Sequence, residues 1–298
     1  MLKKLAIAAL SLACVTAIPA TAFAETVMEK VSRTGELTVG SSLDLVPYSY
    51  FNDKKEWVGY SVDILNILKT QIEKEIGKPI TISVIPGGYG ADRIPQMINN
   101  EIDIACEAQF TWERDQYVDF SLSYGISGIK LLSPTSKKFD SAESLVGKRV
   151  GVLENSIGSQ VMKRTQPRAT LVTFKSPEAG LELLKSGKVD AVAGDAIIMM
   201  GLKEKLKLDD YQITPDEPFA RYGMACMVPE NNPAFLRLVD RSIMTLMQGY
   251  VIGDKKSVEM ISQWFGPKGI IKEVSSEEVK AFFQFMIMTR EQIPLTKS

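Results

Sequence analysis

Arg114 and Asp195 are the two residues whose type and placement could do chemistry. Arg114 stands in Thr111-Trp112-Glu113-Arg114, just after the apolar run Ile102-Asp103-Ile104-Ala105. That run predicts a short buried strand beginning at Ile102. Thr111 can accept a hydrogen bond from the first free N–H groups of a following helical turn. Glu113 falls inside that turn, where a negative charge suits the helix dipole. A guanidinium between a strand's carboxyl end and a helix start can clamp a carboxylate with two hydrogen bonds. The alternative is a surface arginine paired with Glu113 or Asp115. Asp195 offers the complementary charge. It can cap the helix that begins at Ala196, hold an ammonium group, or do both, since a carboxylate has two oxygens. A cation with N–H donors and a separate anion are what an amino-acid zwitterion requires.

Other polar residues fall near these two. Ser156 and Ser159 open a helix, where hydroxyls and free N–H groups suit an anion or serve as plain caps. Gln109 can donate and accept beside Arg114. Glu107 adds a carboxylate: it can pair with Arg114, hold an extra ligand cation, or point away. Tyr48 and Tyr50 follow the first strand and either flank a ligand or pack in the core.

Composition removes several function classes. Histidine is absent, which takes away the commonest general base and metal ligand. With two cysteines left after the leader, Cys106 and Cys226, no metal site or cofactor is expected. The 35 basic and 36 acidic residues leave a net charge of −1 and no basic run for nucleic acid. The 298 residues suffice for two domains of moderate size.

Met1 to Ala24 reads as a secretory leader. Lys3 and Lys4 precede the apolar stretch Leu5 to Ile18, too short to span a bilayer, and Ala22-Phe23-Ala24 suits a cut before Glu25. A rival cut before Cys14 would make a lipoprotein, but Leu12 falls one position late for it. An exported, soluble, periplasmic product is expected.

Positioning these side chains needs a succession of strands and helices. Leu37–Gly40 predicts the first strand. Ile64, Leu65, Leu68, Ile72 and Ile76 predict a helix over 61–76, ended by Gly77. Ile80–Ile85 predicts a strand, Arg93–Asn100 a helix, and Gly125–Leu132 a long strand. Ser133-Pro134-Thr135-Ser136 marks a crossing into a second βα series: strands at 149–153, 171–174 and 189–193, with helices between them. Tyr222–Val228 returns the chain, and Pro233–Gln248 forms an amphipathic helix. The order is that of α/β lobes with parallel strands and covering helices.

Several segments, in order, resemble the bacterial amino-acid-binding proteins that serve ABC transporters. They are V-P-Y-S-Y at 46–50, V-G-Y-S-V-D-I at 58–64, and T-W-E-R followed by V-D-F-S at 111–121. L-V-G-K-R-V-G-V at 145–152, G-K-V-D-A-V-A-G-D at 187–195 and a Trp-Phe finish at 264–265 complete the series. The resemblance covers roughly residues 36 to 268. Arg93-Ile94-Pro95 and Cys106 are similar to the glutamate/aspartate-binding branch. The resemblance implies a type II periplasmic binding protein fold: two α/β lobes, joined by two crossing strands, with the ligand in the cleft. Lobe 1 would comprise 25–132 and 223–298, and lobe 2 would comprise 133–222. By resemblance Arg114 grips an α-carboxylate and Asp195 an ammonium, with Gln109, Thr111, Glu107, Ser156, Ser159 and Tyr48 as further ligand-binding candidates. By resemblance the strands carrying Cys106 and Cys226 are neighbours, which implies a disulfide between them. The partners implied are a small-molecule ligand, an amino acid by resemblance, and an inner-membrane ABC permease, with the protein itself a monomer.

Two features depart from the pattern. Glu107-Ala108-Gln109 replaces the usual small residue and Ser/Thr, and Ser41-Ser42-Leu43-Asp44 lacks the arginine that the acidic-ligand branch uses. Two other functions stay in view. A lyase resembling cyclohexadienyl dehydratase would use Glu107 as the cleft acid, although the helix after Asp195 lacks the glutamate expected there. A sensor input domain would need a membrane anchor, and no later stretch is apolar enough.

Overall fold

The computed structural model describes residues 25–141 and 143–291. The expected leader, with Lys3, Lys4 and Cys14, lies outside the described residues. Helix α1 (Val27–Thr34) leads into β1 (Glu36–Ser41), β2 (Asp44–Leu45), β3 (Ser49–Phe51) and β4 (Trp57–Val58). Then come α2 (Tyr60–Ile76), β5 (Thr81–Pro86), α3 (Ile94–Ile98), β6 (Ala105–Gln109), β7 (Val118–Phe120) and the long β8 (Gly125–Pro134). The middle of the chain forms β9 (Arg149–Leu153), α4 (Ile157–Thr165), β10 (Thr170–Phe174), α5 (Pro177–Lys185), β11 (Ala191–Asp195) and α6 (Ala196–Leu206). It closes with β12 (Tyr211–Thr214), β13 (Ala220–Pro229), α7 (Pro233–Ile252), α8 (Lys255–Ser262) and α9 (Ser276–Glu291).

Helix α2 forms where its apolar spacing predicts. Ile64, Leu65, Leu68 and Ile72 are buried along one face, and Gly77 ends the helix at φ 72°. Two expected elements differ. The central strand begins at Ala105 rather than Ile102; upstream of it, Ile104 makes a single parallel bridge to Val39. The carboxylate of buried Asp103 accepts from the Thr38 N–H at 2.8 Å, the Thr38 hydroxyl at 2.7 Å and Lys30 at 2.8 Å. This segment is thus tied to β1 and α1 through a side chain rather than a regular ladder. The helix expected over 93–100 is confined to Ile94–Ile98, because Asn100 turns into the left-handed region at φ 60°.

Strands β1 and β5 pair in parallel, from Glu36 opposite Thr81 to Ser41 opposite Pro86. A larger sheet runs β10-β9-β11-β8-β13-β6, with β12 attached to β8 and β7 attached to β13. Its middle strands are the two long connections. They pair antiparallel from Met224 opposite Gly125 to Ala220 opposite Ile129. Beyond Ile129, β8 pairs with β11 of the second series, whereas β13 continues from Met224 onto β6 and β7 of the first. The two strands therefore cross together from one lobe to the other. Ser133 and Pro134, read as a polar break, continue β8 and pair with β12.

The core follows the same division, except that Ile197 of α6 joins the first lobe's cluster. One large cluster packs α2, α7 and α9 under the first lobe, where Leu68, Ile72 and Phe235 are fully buried. Two others occupy the second lobe, one around Leu131, Val150 and Val152 and one around Leu132, Leu184 and Val189. Cys106 on β6 and Cys226 on β13 are joined, with sulfurs 2.11 Å apart, in a link between positions 120 residues apart.

Candidate functional site

The carboxyl ends of the strands from both lobes face a common cavity of about 140 Å³. The first lobe contributes Leu45, Tyr89, Glu107, Gln109 and Arg114, and the second contributes the β9–α4 turn, Phe174 and Asp195. This is where open α/β sheets present free backbone donors and side chains to a ligand.

Arg114 is positioned by the turn that precedes it. Its N–H donates to the Thr111 carbonyl at 3.0 Å and to the Thr111 hydroxyl at 3.2 Å, so Thr111 acts as the cap its sequence position suggests. Arg114 as a whole is only 7% exposed. Its Nη1 donates to the Gln109 carbonyl at 2.9 Å and to Gln109 Oε1 at 3.3 Å. Among the described residues no carboxylate lies within ion-pair distance, and neither Glu113 nor Asp115 pairs with it. Burial, followed by repulsion from Arg93, lowers its pKa. Arg114 is a buried cation lacking a counter-ion, with Gln109 holding one prong of the fork.

Asp195 ends β11 and caps α6. Its Oδ1 accepts from the Ile198 N–H at 3.0 Å and its Oδ2 from the Tyr222 hydroxyl at 2.7 Å. It is 9% exposed, and burial raises its pKa despite those hydrogen bonds. The cap and the cavity-facing carboxylate coexist, because each oxygen keeps a lone pair after its present bond.

The remaining candidates divide. Ser156 lines the cavity, but its hydroxyl accepts from the Ser159 N–H at 3.0 Å and donates to the Leu153 carbonyl at 2.7 Å. It is a cap with little left to offer. Ser159 supplies the capped N–H, and neither its side chain nor that of Thr111 is among the cavity's walls. Tyr48 is 1% exposed and packs against Tyr60 and Tyr124, with ring centroids 6.4 and 6.3 Å away. It borders a different cavity, beside Phe265 and Phe283, and not the one between Arg114 and Asp195.

Glu107 adopts none of the three arrangements expected from sequence in simple form. Its Oε2 accepts from Arg93 Nη1 at 3.0 Å, with both side chains essentially sealed from solvent. Arg93 also donates to the carbonyls of Cys106 at 2.6 Å and Glu107 at 3.3 Å. Glu107 sits at φ 56°, a region that residues other than glycine rarely occupy, and its N–H donates to the Tyr124 hydroxyl at 2.8 Å. Glu107 is nonetheless among the residues that line the cavity.

Sequence reasoning missed Tyr222, Tyr89 and Arg93 as parts of this arrangement. Tyr222 lies within the returning strand, where its alternation with Arg221 and Gly223 gives only an inward direction. Tyr89, whose hydroxyl donates to Asp44, sits in a glycine-rich loop without a periodic signal. Arg93 carries the signal of its neighbours in Arg93-Ile94-Pro95, but nothing local indicates Glu107 as its partner.

Residues 37–267 match the family model of bacterial extracellular solute-binding proteins, family 3. The chain is 25% identical over 268 residues to a glutamate/aspartate import solute-binding protein of Salmonella typhimurium, covering 86% of this chain and 87% of that one. It is 32% identical over 189 residues to a glutamine-binding protein of an ABC transporter from Bacillus subtilis, covering 60% and 67%. Among solved structures, the solute receptor for L-cysteine of Neisseria gonorrhoeae superposes with a TM-score of 0.72 at 17% identity, over 85% of this chain and 98% of that one. The architecture is the type II periplasmic binding fold, two lobes joined by β8 and β13 with the cavity between them. With the family match spanning both lobes and both crossing strands, the chain belongs to the bacterial extracellular solute-binding proteins, family 3.

Proposed function

We propose that the protein captures a free amino acid in its interlobe cavity and delivers it to an inner-membrane ABC permease. The observation that carries this reading is the pairing of opposite charges across one cavity. Arg114, an unpaired buried guanidinium, faces it from the first lobe, and Asp195, a buried carboxylate, faces it from the second. Arg114 grips the α-carboxylate with the N–H groups that Gln109 leaves free. Asp195 and the Tyr222 hydroxyl receive the ammonium. In this reading residues 133–222 form the lobe that swings against 25–132 and 223–298, and Met1–Ala24 directs export to the periplasm. The mixed ligands named for the relatives, glutamate/aspartate, glutamine and L-cysteine, share the zwitterion and differ in side chain.

A proton-donating role for Glu107, as a dehydratase-like reaction would need, finds no support in the geometry. One of its oxygens accepts from Arg93, and the α6 turn after Asp195 carries Ala196 and Ile197 with no further acid. The test of the binding reading is a thermal-shift screen against amino acids, dicarboxylates and polyamines. An amino acid should raise the melting temperature by mass action. A response to polyamines or dicarboxylates alone would reject the zwitterion site.

A further inference from the structure

The walls of the cavity are more specific than the charge pair. Arg114 is the single cation among the described residues that line it. The other guanidinium nearby, Arg93, is fully buried and committed to Glu107 and two backbone carbonyls. An acidic ligand side chain would thus find no positive partner once Arg114 holds the α-carboxylate, and an unpaired buried carboxylate is costly. A cationic side chain would find Glu107 already neutralised and Glu154 only at the exposed β9–α4 turn.

Much of the rest of the cavity's wall is apolar. Phe174, Leu181, Val192, Met199 and Leu202, carried on β10, β11, α5 and α6, are among the residues that line it. Ile198, Met199 and Leu202 fall at spacings of one, three and four, so they share a face of α6. Leu202 lies seven residues past Asp195, a rise of about 10 Å along the helix.

From this geometry we infer that the ligand is a neutral amino acid with a large apolar side chain, in the class of leucine, methionine or phenylalanine. The inference rests on the zwitterion reading of Arg114 and Asp195 and adds the side-chain class to it. Apolar contacts supply the affinity that distinguishes this class from alanine, by about ten- to a hundredfold for full burial of such a side chain.

The experiment is calorimetry on the purified exported chain, freed of carried-over ligand by unfolding and refolding with its disulfide intact. The probes are L-leucine, L-methionine, L-phenylalanine, L-alanine, L-glutamate and L-arginine. At least one of the first three should bind at least tenfold tighter than alanine, and glutamate should bind more weakly than any of them. Leu202→Lys, which places a cation in the cavity's apolar wall at a half-buried position, should weaken leucine and strengthen glutamate. Glutamate or arginine binding tighter than all three apolar amino acids would overturn the inference and leave the zwitterion reading standing. So would an unchanged preference in folded Leu202→Lys protein. Binding of none of the six would sink the zwitterion reading itself, and the inference with it.

Discussion

At the scale of single residues, Arg114 is a buried charge with no ion-pair partner among the described residues. Its fork would make two charge-assisted hydrogen bonds to a ligand carboxylate, each worth roughly 1.5–3 kcal/mol. Arg114→Ala should therefore weaken amino-acid binding by about a hundredfold or more. Arg114→Lys should restore only part of this, since an ammonium cannot reproduce the planar fork. Calorimetry beside a melting curve of the ligand-free variant checks both, and near wild-type affinity in folded Arg114→Ala would reject the clamp. Asp195 carries a pH signature. Burial raises its pKa, so the folded state favours the protonated carboxyl, whereas an ammonium ligand needs the carboxylate. Affinity should fall as pH drops through that raised value. Ligand-free stability should move the other way. The ionisation penalty is absent below the unfolded value of about 3.9, grows as pH rises through the folded value, and is complete above it. Asp195→Asn keeps an N-cap and should abolish this stability slope in urea titrations across pH, while weakening binding by about tenfold or more. A slope that persists in Asp195→Asn would assign it to another group.

At the scale of elements, the cavity floor depends on a side chain borrowed across the fold. Arg93, just before α3, reaches β6 to neutralise Glu107 and to satisfy two carbonyls of that strand. Removing one partner of a sealed pair leaves the other charge stranded, at a cost of about 3–5 kcal/mol. Arg93→Met should accordingly lower the melting temperature sharply, and Arg93→Met combined with Glu107→Leu should recover much of the loss. A double-mutant cycle measures the coupling, and additive effects would show that the pair is not coupled. This pair also marks the limit of what the sequence makes legible. The 3.6-residue spacing in α2, the strand at 149–153 and the Arg114 and Asp195 corners are local signals, and the structure places all of them where the sequence points. Glu107–Arg93 and Asp195–Tyr222 are contacts between elements, and no spacing rule reports them. Tyr48 shows the reverse difficulty: an aromatic after a strand looks the same whether it faces a ligand or packs on Tyr60 and Tyr124.

At the scale of the whole molecule, the two lobes share a sheet only through β8 and β13, and their cores meet where Ile197 of α6 packs into the first lobe's cluster. Bending at these strands is the motion such a layout allows with the fewest buried contacts to break. Helix α9 lies beyond the residues that match the family model and packs on α7, with Tyr250 and Phe283 rings 5.4 Å apart. Its Val279, Phe282 and Phe283 also line a cavity shared with Ala196, Ile197 and Met200 of α6. A ligand held by Arg114 on one side and Asp195 on the other, as proposed, would bind the closed arrangement better than an open one and so shift the population toward closure. The most direct measurement is small-angle X-ray scattering on ligand-free protein and on protein saturated with the amino acid that calorimetry identifies. The account predicts a smaller radius of gyration with ligand. An unchanged profile for calorimetrically saturated wild-type protein would contradict the two-lobe clamp.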